Sequence, residues 1–517
     1  MRLKIANGVV MDGTGAAPVR ADVLIENETI LTIEPDCTLA ADTTIDANGK
    51  TVCPGFIDVH THSDAYILIE PTAPSKIYQG VTTEVVGNCG ASCAPLYGES
   101  RMPADWTAHQ YPGAWQTVAD YRTLLEQVGP GPNIAMLVGH NTLRAGVMGY
   151  APRPARPEEV RQMAKHLEQA LAEGARGLST GLVYNPGRFA ESSEVHRLVE
   201  IVAAHEGIYT SHMRSESSKL LEAIDETLSY STATGVRTQI SHLKAYGQAN
   251  WHLLEPAIAR IHAARNQGLE VFADRYPYTA SCTDLDIIFP EWAVAGGPDA
   301  ILERLRNPNE RQKLLRALKQ KDPSYWQSIT IGSTVHPDNH AFAGTPLCDV
   351  AQTLGLHPAE AALHIAEKDQ LRTAAFFHGM DENNMLRVLA EPYVMIGSDA
   401  SLRAPTGPLS HDWPHPRAYG TFPRFLRMAR EGKTVPLPEA IQKMTSLPAA
   451  TFSLPNRGIL RKGYAADIVV FDHNTVSDQS AFDRPHAIAQ GIEHVIINGT
   501  ITLENGQITG KRNGTFL

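Results

Sequence analysis

Short apolar runs bounded by turn residues alternate along this chain with amphipathic stretches, and the two ends read differently from the middle. Near the start, Val9-Val10-Met11 leads into Asp12-Gly13-Thr14-Gly15, and the apolar run 21–26 is separated from 30–33 by Asn27-Glu28-Thr29. This is the pattern of β-hairpins. Near the end, runs 466–472, 494–499 and 500–503 repeat it, with Asn498-Gly499 as a hairpin turn. Neither end carries enough strand for an independent sheet. Residues 1–52 and 452–517 are therefore expected to build one small β-sandwich domain around a larger middle.

The middle, residues 53–451, carries eight runs with the unbroken apolar character of buried parallel strands: 52–62, 83–89, 134–140, 176–180, 208–213, 238–243, 270–278 and 393–399. Helical periodicity lies between several of them, at 157–173, 192–205 and 219–234. In the first of these, Val160, Met163, Ala164, Leu167, Ala170 and Leu171 line one face just after a proline. Eight such units predict an α/β fold, a (β/α)₈ TIM-like barrel. The interval between the last two strands is too long for one crossover. Within it, residues 284–344 are expected to form a helical insertion after strand seven, with helices at 299–305 and 310–318 and a strand-like run at 326–331, acting as a lid over the barrel mouth.

Length and charge fit this picture. At about 150 residues per domain, 517 residues suit a large barrel plus a smaller unit. With 45 Lys+Arg against 56 Asp+Glu the formal net charge is −11, which argues against nucleic acid or an anionic membrane as partner. No apolar run approaches the ~20 residues of a membrane span, and the first residues lack the apolar segment of a secretory signal. A cytoplasmic protein is expected. Six cysteines in a chain of this length do not make a disulfide scaffold.

The chemistry lies at the ends of the apolar runs, where a barrel gathers its functional side chains. The first run ends Asp58-Val59-His60-Thr61-His62, and alternation puts His60 and His62 on one side of the chain. The second ends in Cys89, the fifth in His212, the sixth in His242 and the eighth in Asp399. Each alone is an ordinary buried or capping residue. Together, six imidazole, thiolate and carboxylate side chains converging from five strand ends suit Zn²⁺.

These residues sit in longer motifs. Pro54-Gly55-Phe56-Ile57-Asp58-Val59-His60-Thr61-His62, Gly80-Val81-Thr82-Thr83 with Gly87-Asn88-Cys89-Gly90, and Ser179-Thr180-Gly181-Leu182-Val183-Tyr184-Asn185-Pro186-Gly187 are three of them. Tyr276-Pro277-Tyr278 and His415-Pro416-Arg417 with Tyr419-Gly420-Thr421-Phe422 are two more. Over essentially its whole length the chain resembles the amidohydrolase superfamily, and within it the D-aminoacylases (N-acyl-D-amino-acid deacylases). Strand four, 174–180, contains no lysine to bridge two metals as in dihydropyrimidinases. The resemblance implies that Cys89, His212 and His242 hold one tight zinc, that His60 and His62 with Asp399 offer a second, weaker position, and that Asp399 is the catalytic acid–base. It implies a small-molecule substrate, an N-acyl amino acid, whose carboxylate is bound by Arg417 and Tyr276. Cys282 stands where the family has a serine hydroxyl, and Lys244 and Tyr184 complete the expected substrate contacts. Another metal-dependent amide hydrolase, a dipeptidase or cyclic-amide hydrolase, is the alternative enzyme. A non-catalytic barrel acting as a scaffold is the alternative outside enzymology, and such proteins typically lose metal ligands. The assembly state, monomer or homo-oligomer, stays open.

Overall fold

The computed structural model describes residues 1–103 and 105–517. Eight parallel strands run in chain order around a barrel. They are β1 (Phe56–Asp58), β2 (Val81–Val86), β3 (Asn133–Gly139), β4 (Gly177–Gly181), β5 (Ile208–His212), β6 (Arg237–Ile240), β7 (Val271–Arg275) and β8 (Val394–Ile396). The helices Pro157–Ala172, Ser192–Ala204 and Leu220–Thr234 fall where the periodicity places them. Met163, Leu167 and Leu171 form the buried stripe of the first.

The expected first strand, 52–62, is two strands. Thr51–Pro54 pairs with Arg2–Val10 and Ile468–Phe471 in the terminal sheet, and Phe56–Asp58 opens the barrel. Gly55 lies between them, where a Cβ would fall 2.1 Å from Thr82 Oγ1. Only glycine lets the chain step from one sheet to the other at that distance. The terminal sheet has nine strands drawn from both ends of the chain. Ile30 N donates to Tyr464 O at 2.9 Å and Ala466 N to Glu28 O at 2.8 Å. The sheet thereby curls around a core of Leu3, Ile5, Val23, Ile25, Val52, Ile468, Val470 and Ile496. At its hairpin, Asn498 (φ 44°) and Gly499 (φ 74°) are both left-handed, as a type I′ turn requires.

Between β7 and β8 stands a three-stranded antiparallel sheet in the order Ala280–Asp284, Ala374–His378, Ile329–Ile331, with its own helices. Its apolar core runs from Leu285 to Phe377, past the 284–344 span read from the sequence, because the entering and leaving strands pair with each other. Of the 326–331 run, Trp326 belongs to the helix Pro323–Gln327 and only Ile329–Ile331 is strand. Among the described residues no helix is long and apolar enough to cross a membrane.

The barrel closes between β8 and β1 without a regular ladder. Past the strand ends, Asp399 N donates to His60 O at 2.8 Å and His62 N to Ala400 O at 3.3 Å. Beneath them Lys76, fully buried, donates to Asp58 Oδ2 at 2.9 Å, Ser398 Oγ at 3.0 Å and Ala400 O at 3.1 Å. Its ammonium also lies 3.4 Å from Glu84 Oε2. One cation thus ties β1, β2 and the end of β8 together. Removing one partner of a buried ionic group leaves the others uncompensated. Lys76→Met is therefore expected to lower the free energy of unfolding by about 3–5 kcal/mol, read from the urea midpoint at unchanged m value. A loss under about 1 kcal/mol, the range of exposed ion pairs, would show the seam to be held by backbone alone.

Candidate metal centre and active site

Each expected ligand is placed at the C-terminal mouth by the strand it follows. His212 is the last residue of β5, and His242 stands two residues past β6. Cys89 and Asp399 each stand three residues past β2 and β8. Cys89 (φ 54°), His242 (φ 35°) and Asp399 (φ 51°) are all left-handed. Such a conformation in a non-glycine residue costs of order 1–3 kcal/mol and persists only where its surroundings impose it. Specific bonds do so here. Ser179 Oγ accepts from Gly90 N at 3.0 Å and donates to Gly87 O at 2.5 Å, clamping both ends of the Cys89 loop. Asp274 Oδ1 accepts from His242 N at 3.1 Å.

The donor atoms converge. Cys89 Sγ lies 3.1 Å from His60 Nε2 and 3.5 Å from His242 Nε2, and His242 Nε2 lies 2.9 Å from His212 Nδ1. Asp399 Oδ1 is 3.1 Å from His62 Nε2 and 3.4 Å from His60 Nε2. The edges of a tetrahedral zinc site, with bonds of about 2.0–2.3 Å, measure roughly 3.3–3.8 Å; the separations here lie at or a few tenths of an ångström below that range, so a small outward shift of the side chains would admit an ion. Two overlapping groups have donors within 4.8 Å of one another: His60, Cys89, His242 and Asp399, and His212, Glu216 and His242. All but Glu216, which is 14% exposed, are buried.

The electrostatics agree with that fit. Burial pushes the Cys89 thiol up, but His60, His242 and His212 outweigh it and hold the thiol well below its ordinary value. Burial likewise opposes ionisation of Asp399, and Arg417, His60 and His62 hold its carboxyl well below the usual range. In turn His62 is raised to about 9 and His242 to about 10, against the burial that would lower them, by Asp399 and Cys89 and by Glu216 and Cys89 respectively. Thiolate and carboxylate are thus compensated by protons on imidazoles. A divalent cation among the same atoms would take over that compensation and release the protons.

Beside the ligands, Arg417 is buried. Its Nη1 donates to Asp399 Oδ2 at 2.7 Å and its Nη2 to the Cys282 carbonyl at 3.3 Å, with the guanidinium 4.7 Å from the Tyr276 ring centre. Tyr276 is fully buried, and its hydroxyl has no hydrogen-bond partner among the described residues. The Cys282 thiol is pushed up to about 11 by burial, against Arg417. Tyr184 sets its ring against His212 at 4.8 Å, and its hydroxyl accepts from Thr283 at 3.3 Å. The Lys244 ammonium pairs with Glu216, donates to the His242 carbonyl at 2.9 Å and lies 2.7 Å from His242 Nδ1. Sequence reasoning missed Glu216, Asp274 and Ser179. Asp274 is a lone carboxylate inside an apolar run, a signal that could have been read. Glu216 sits in polar surroundings that conceal it, and Ser179, inside a buried strand run, gives no sign of the loop it clamps.

Known proteins share this architecture. A model described as "Amidohydrolase family" matches residues 43–273 and 388–503, leaving out nearly all of the insertion between β7 and β8. The N-acyl-D-glutamate deacylase of Alcaligenes xylosoxydans xylosoxydans is 36% identical over 512 residues, 96% of this chain and 92% of that one. The D-aminoacylase of the same organism is 36% identical over 518 residues, 100% of this chain and 97% of that one. The crystal structure of N-acyl-D-glutamate deacylase from Bordetella bronchiseptica holds zinc and a phosphonate inhibitor that mimics the tetrahedral intermediate. It matches with a TM-score of 0.85 at 34% identity, covering 100% of this chain and 99% of that one. With the barrel, the split terminal sheet and the cysteine-containing donor set, these full-length likenesses show that the chain belongs to the D-aminoacylase (N-acyl-D-amino-acid deacylase) family of amidohydrolases.

Proposed function

We propose that this protein is a zinc-dependent deacylase that hydrolyses N-acyl-D-amino acids to a carboxylate and a free D-amino acid. One observation carries the reading. Arg417 and the unpartnered Tyr276 hydroxyl form a buried anion-reading pair, and Arg417 touches Asp399, itself in contact with His60 and His62. A carboxylate held there places the neighbouring amide against the metal donors. Kinship with the two deacylases supports the acyl amide and the D configuration. Six unpaired cysteines support a reducing, cytoplasmic compartment.

Cys89, His212 and His242 would hold one ion tightly, and His60 and His62 with Asp399 a second, weaker one. Zn²⁺ bound there supplies a Lewis acid for the amide carbonyl and lowers the pKa of water. Asp399 takes a proton from the attacking water and returns it to the departing nitrogen, because an amine anion is too poor a leaving group. In the free site Arg417 holds Asp399. A substrate carboxylate competes for the guanidinium and for the Tyr276 hydroxyl, and leaves Asp399 Oδ2 to the water. Cys282 offers a thiol, a weaker donor than the family's hydroxyl, so the carboxylate leans on the other two groups.

Three outcomes test this. Cys89→Ala should lose tightly bound zinc and nearly all turnover while its circular dichroism stays that of the parent. Zinc per chain after dialysis is the measurement, and unchanged zinc and turnover would make Cys89 a packing residue. Asp399→Asn should retain the tight ion and lower kcat by about 100- to 10,000-fold, the range of a lost general acid–base. A near-normal kcat with raised KM would assign Asp399 to binding. Arg417→Met should lower kcat/KM on the N-acyl-D-amino acid by about 2–5 kcal/mol, roughly 30- to 4,000-fold, and change little on the corresponding amide. Measured on acid and amide forms together, a coupling near zero would remove the carboxylate reading and favour a cyclic or uncharged amide as substrate.

A further inference from the structure

Asp274, on β7, touches no substrate-facing surface and is fully buried. Its two oxygens are nonetheless divided between two of the converging histidines. Oδ2 lies 3.2 Å from His60 Nδ1, and Oδ1 accepts the backbone N–H of His242 at 3.1 Å. The Asp274 backbone carbonyl accepts from Leu243 N at 3.0 Å, pinning the residue after His242 as well. Gln239, on β6, donates to Oδ2 at 2.6 Å, and its own Oε1 is buried without a partner. Among the described residues His62 has no such backing. It is 23% exposed, and the carboxylate it meets is Asp399.

We propose that Asp274 is the positioning residue of the metal centre, the single group that sets both the tautomer of His60 and the left-handed backbone of His242. A carboxylate facing Nδ1 requires the ring proton there. Nε2, 3.1 Å from Cys89 Sγ and 3.4 Å from Asp399 Oδ1, is then the nitrogen that is left to ligate a cation. An imidazole that donates to a carboxylate is a stronger ligand than one that does not. The same anion holds His242 at φ 35°, a conformation the residue does not adopt unaided. His60 and His62 are consequently unequal ligands, the first carboxylate-backed and rigid, the second accessible and dependent on Asp399. The proposal rests on the metal reading given above.

The test uses the full-length protein and zinc itself as the probe. Asp274→Asn preserves shape, and the free Gln239 Oε1 can turn to accept the new amide N–H, so the variant removes charge with little repacking. Zinc affinity by chelator competition is expected to weaken about 10- to 100-fold, the range for groups that orient a metal-bound histidine. In ¹⁵N-histidine-labelled wild type, His60, assigned by His60→Gln, should show an exchange-protected Nδ1–H proton at low field, which moves or vanishes in Asp274→Asn. Wild-type zinc affinity in Asp274→Asn together with an unmoved His60 proton would overturn the proposal. If the variant does not fold, the wild-type spectrum decides, since a His60 that lacks a protected Nδ1–H proton also overturns it. Wild-type protein that binds no zinc would defeat the metal reading instead, and the His60 proton would still report on Asp274.

Discussion

The site and the closure of the barrel are one arrangement. Everywhere else around the barrel neighbouring strands share a parallel ladder, irregular only between β1 and β2 at Phe56–Ile57, but between β8 and β1 the ladder is replaced by bonds that involve the candidate ligands. The amide of Asp399 reaches the carbonyl of His60, and the amide of His62 reaches Ala400. Lys76 adds a buried cation that no backbone pairing could supply, holding Asp58, Ser398 and Ala400 at once. A barrel that failed to close here would separate His60 and His62 from Asp399. Closure free energy and the geometry of the reaction are therefore the same quantity seen from two sides.

This also explains the concentration of left-handed residues at the mouth. A backbone that leaves a strand end in the extended conformation carries the chain onward past the barrel mouth. At Cys89, His242 and Asp399 the backbone reverses, and each reversal is held by a buried polar group from elsewhere in the barrel: Ser179 on β4, Asp274 on β7 and the carbonyl of His60 just past β1. Strain at the ligands and polar groups beneath them are two halves of one device.

Much of this was legible in the sequence, and the reason is geometric. Strand ends are marked by where an apolar run stops, and the barrel converts that linear position into spatial convergence, so all six proposed ligands could be named before any contact was known. What stayed hidden depends on contacts between distant strands. The division of 52–62 at Gly55 follows from the approach of Thr82, which no local pattern encodes. Lys76 is a polar residue in a short helix, indistinguishable from a surface lysine until its burial is seen. Glu216, which pairs with Lys244 and lies 2.7 Å from His242 Nδ1, is four residues past His212, and only the fold sets it beside β6. The insertion extends beyond its expected bounds because its boundary strands, Ala280–Asp284 and Ala374–His378, carry no distinctive period and are defined by pairing with each other.

The terminal sheet has a consequence for biosynthesis. Thr51–Pro54 lies between Arg2–Val10 and Ile468–Phe471, and it leads directly through Gly55 into β1. On the ribosome its first neighbour is present at once, but the second emerges only after nearly the whole barrel has been translated. At about 5–20 residues per second, that leaves one edge of the strand unpaired for roughly 20–80 s. Asn133, at the foot of β3, waits as long for Asp467 and Asn498, which clasp it from the late segment. The nascent barrel thus carries an open β edge next to the strand that leads to His60 and His62 until Ile468–Phe471 emerges.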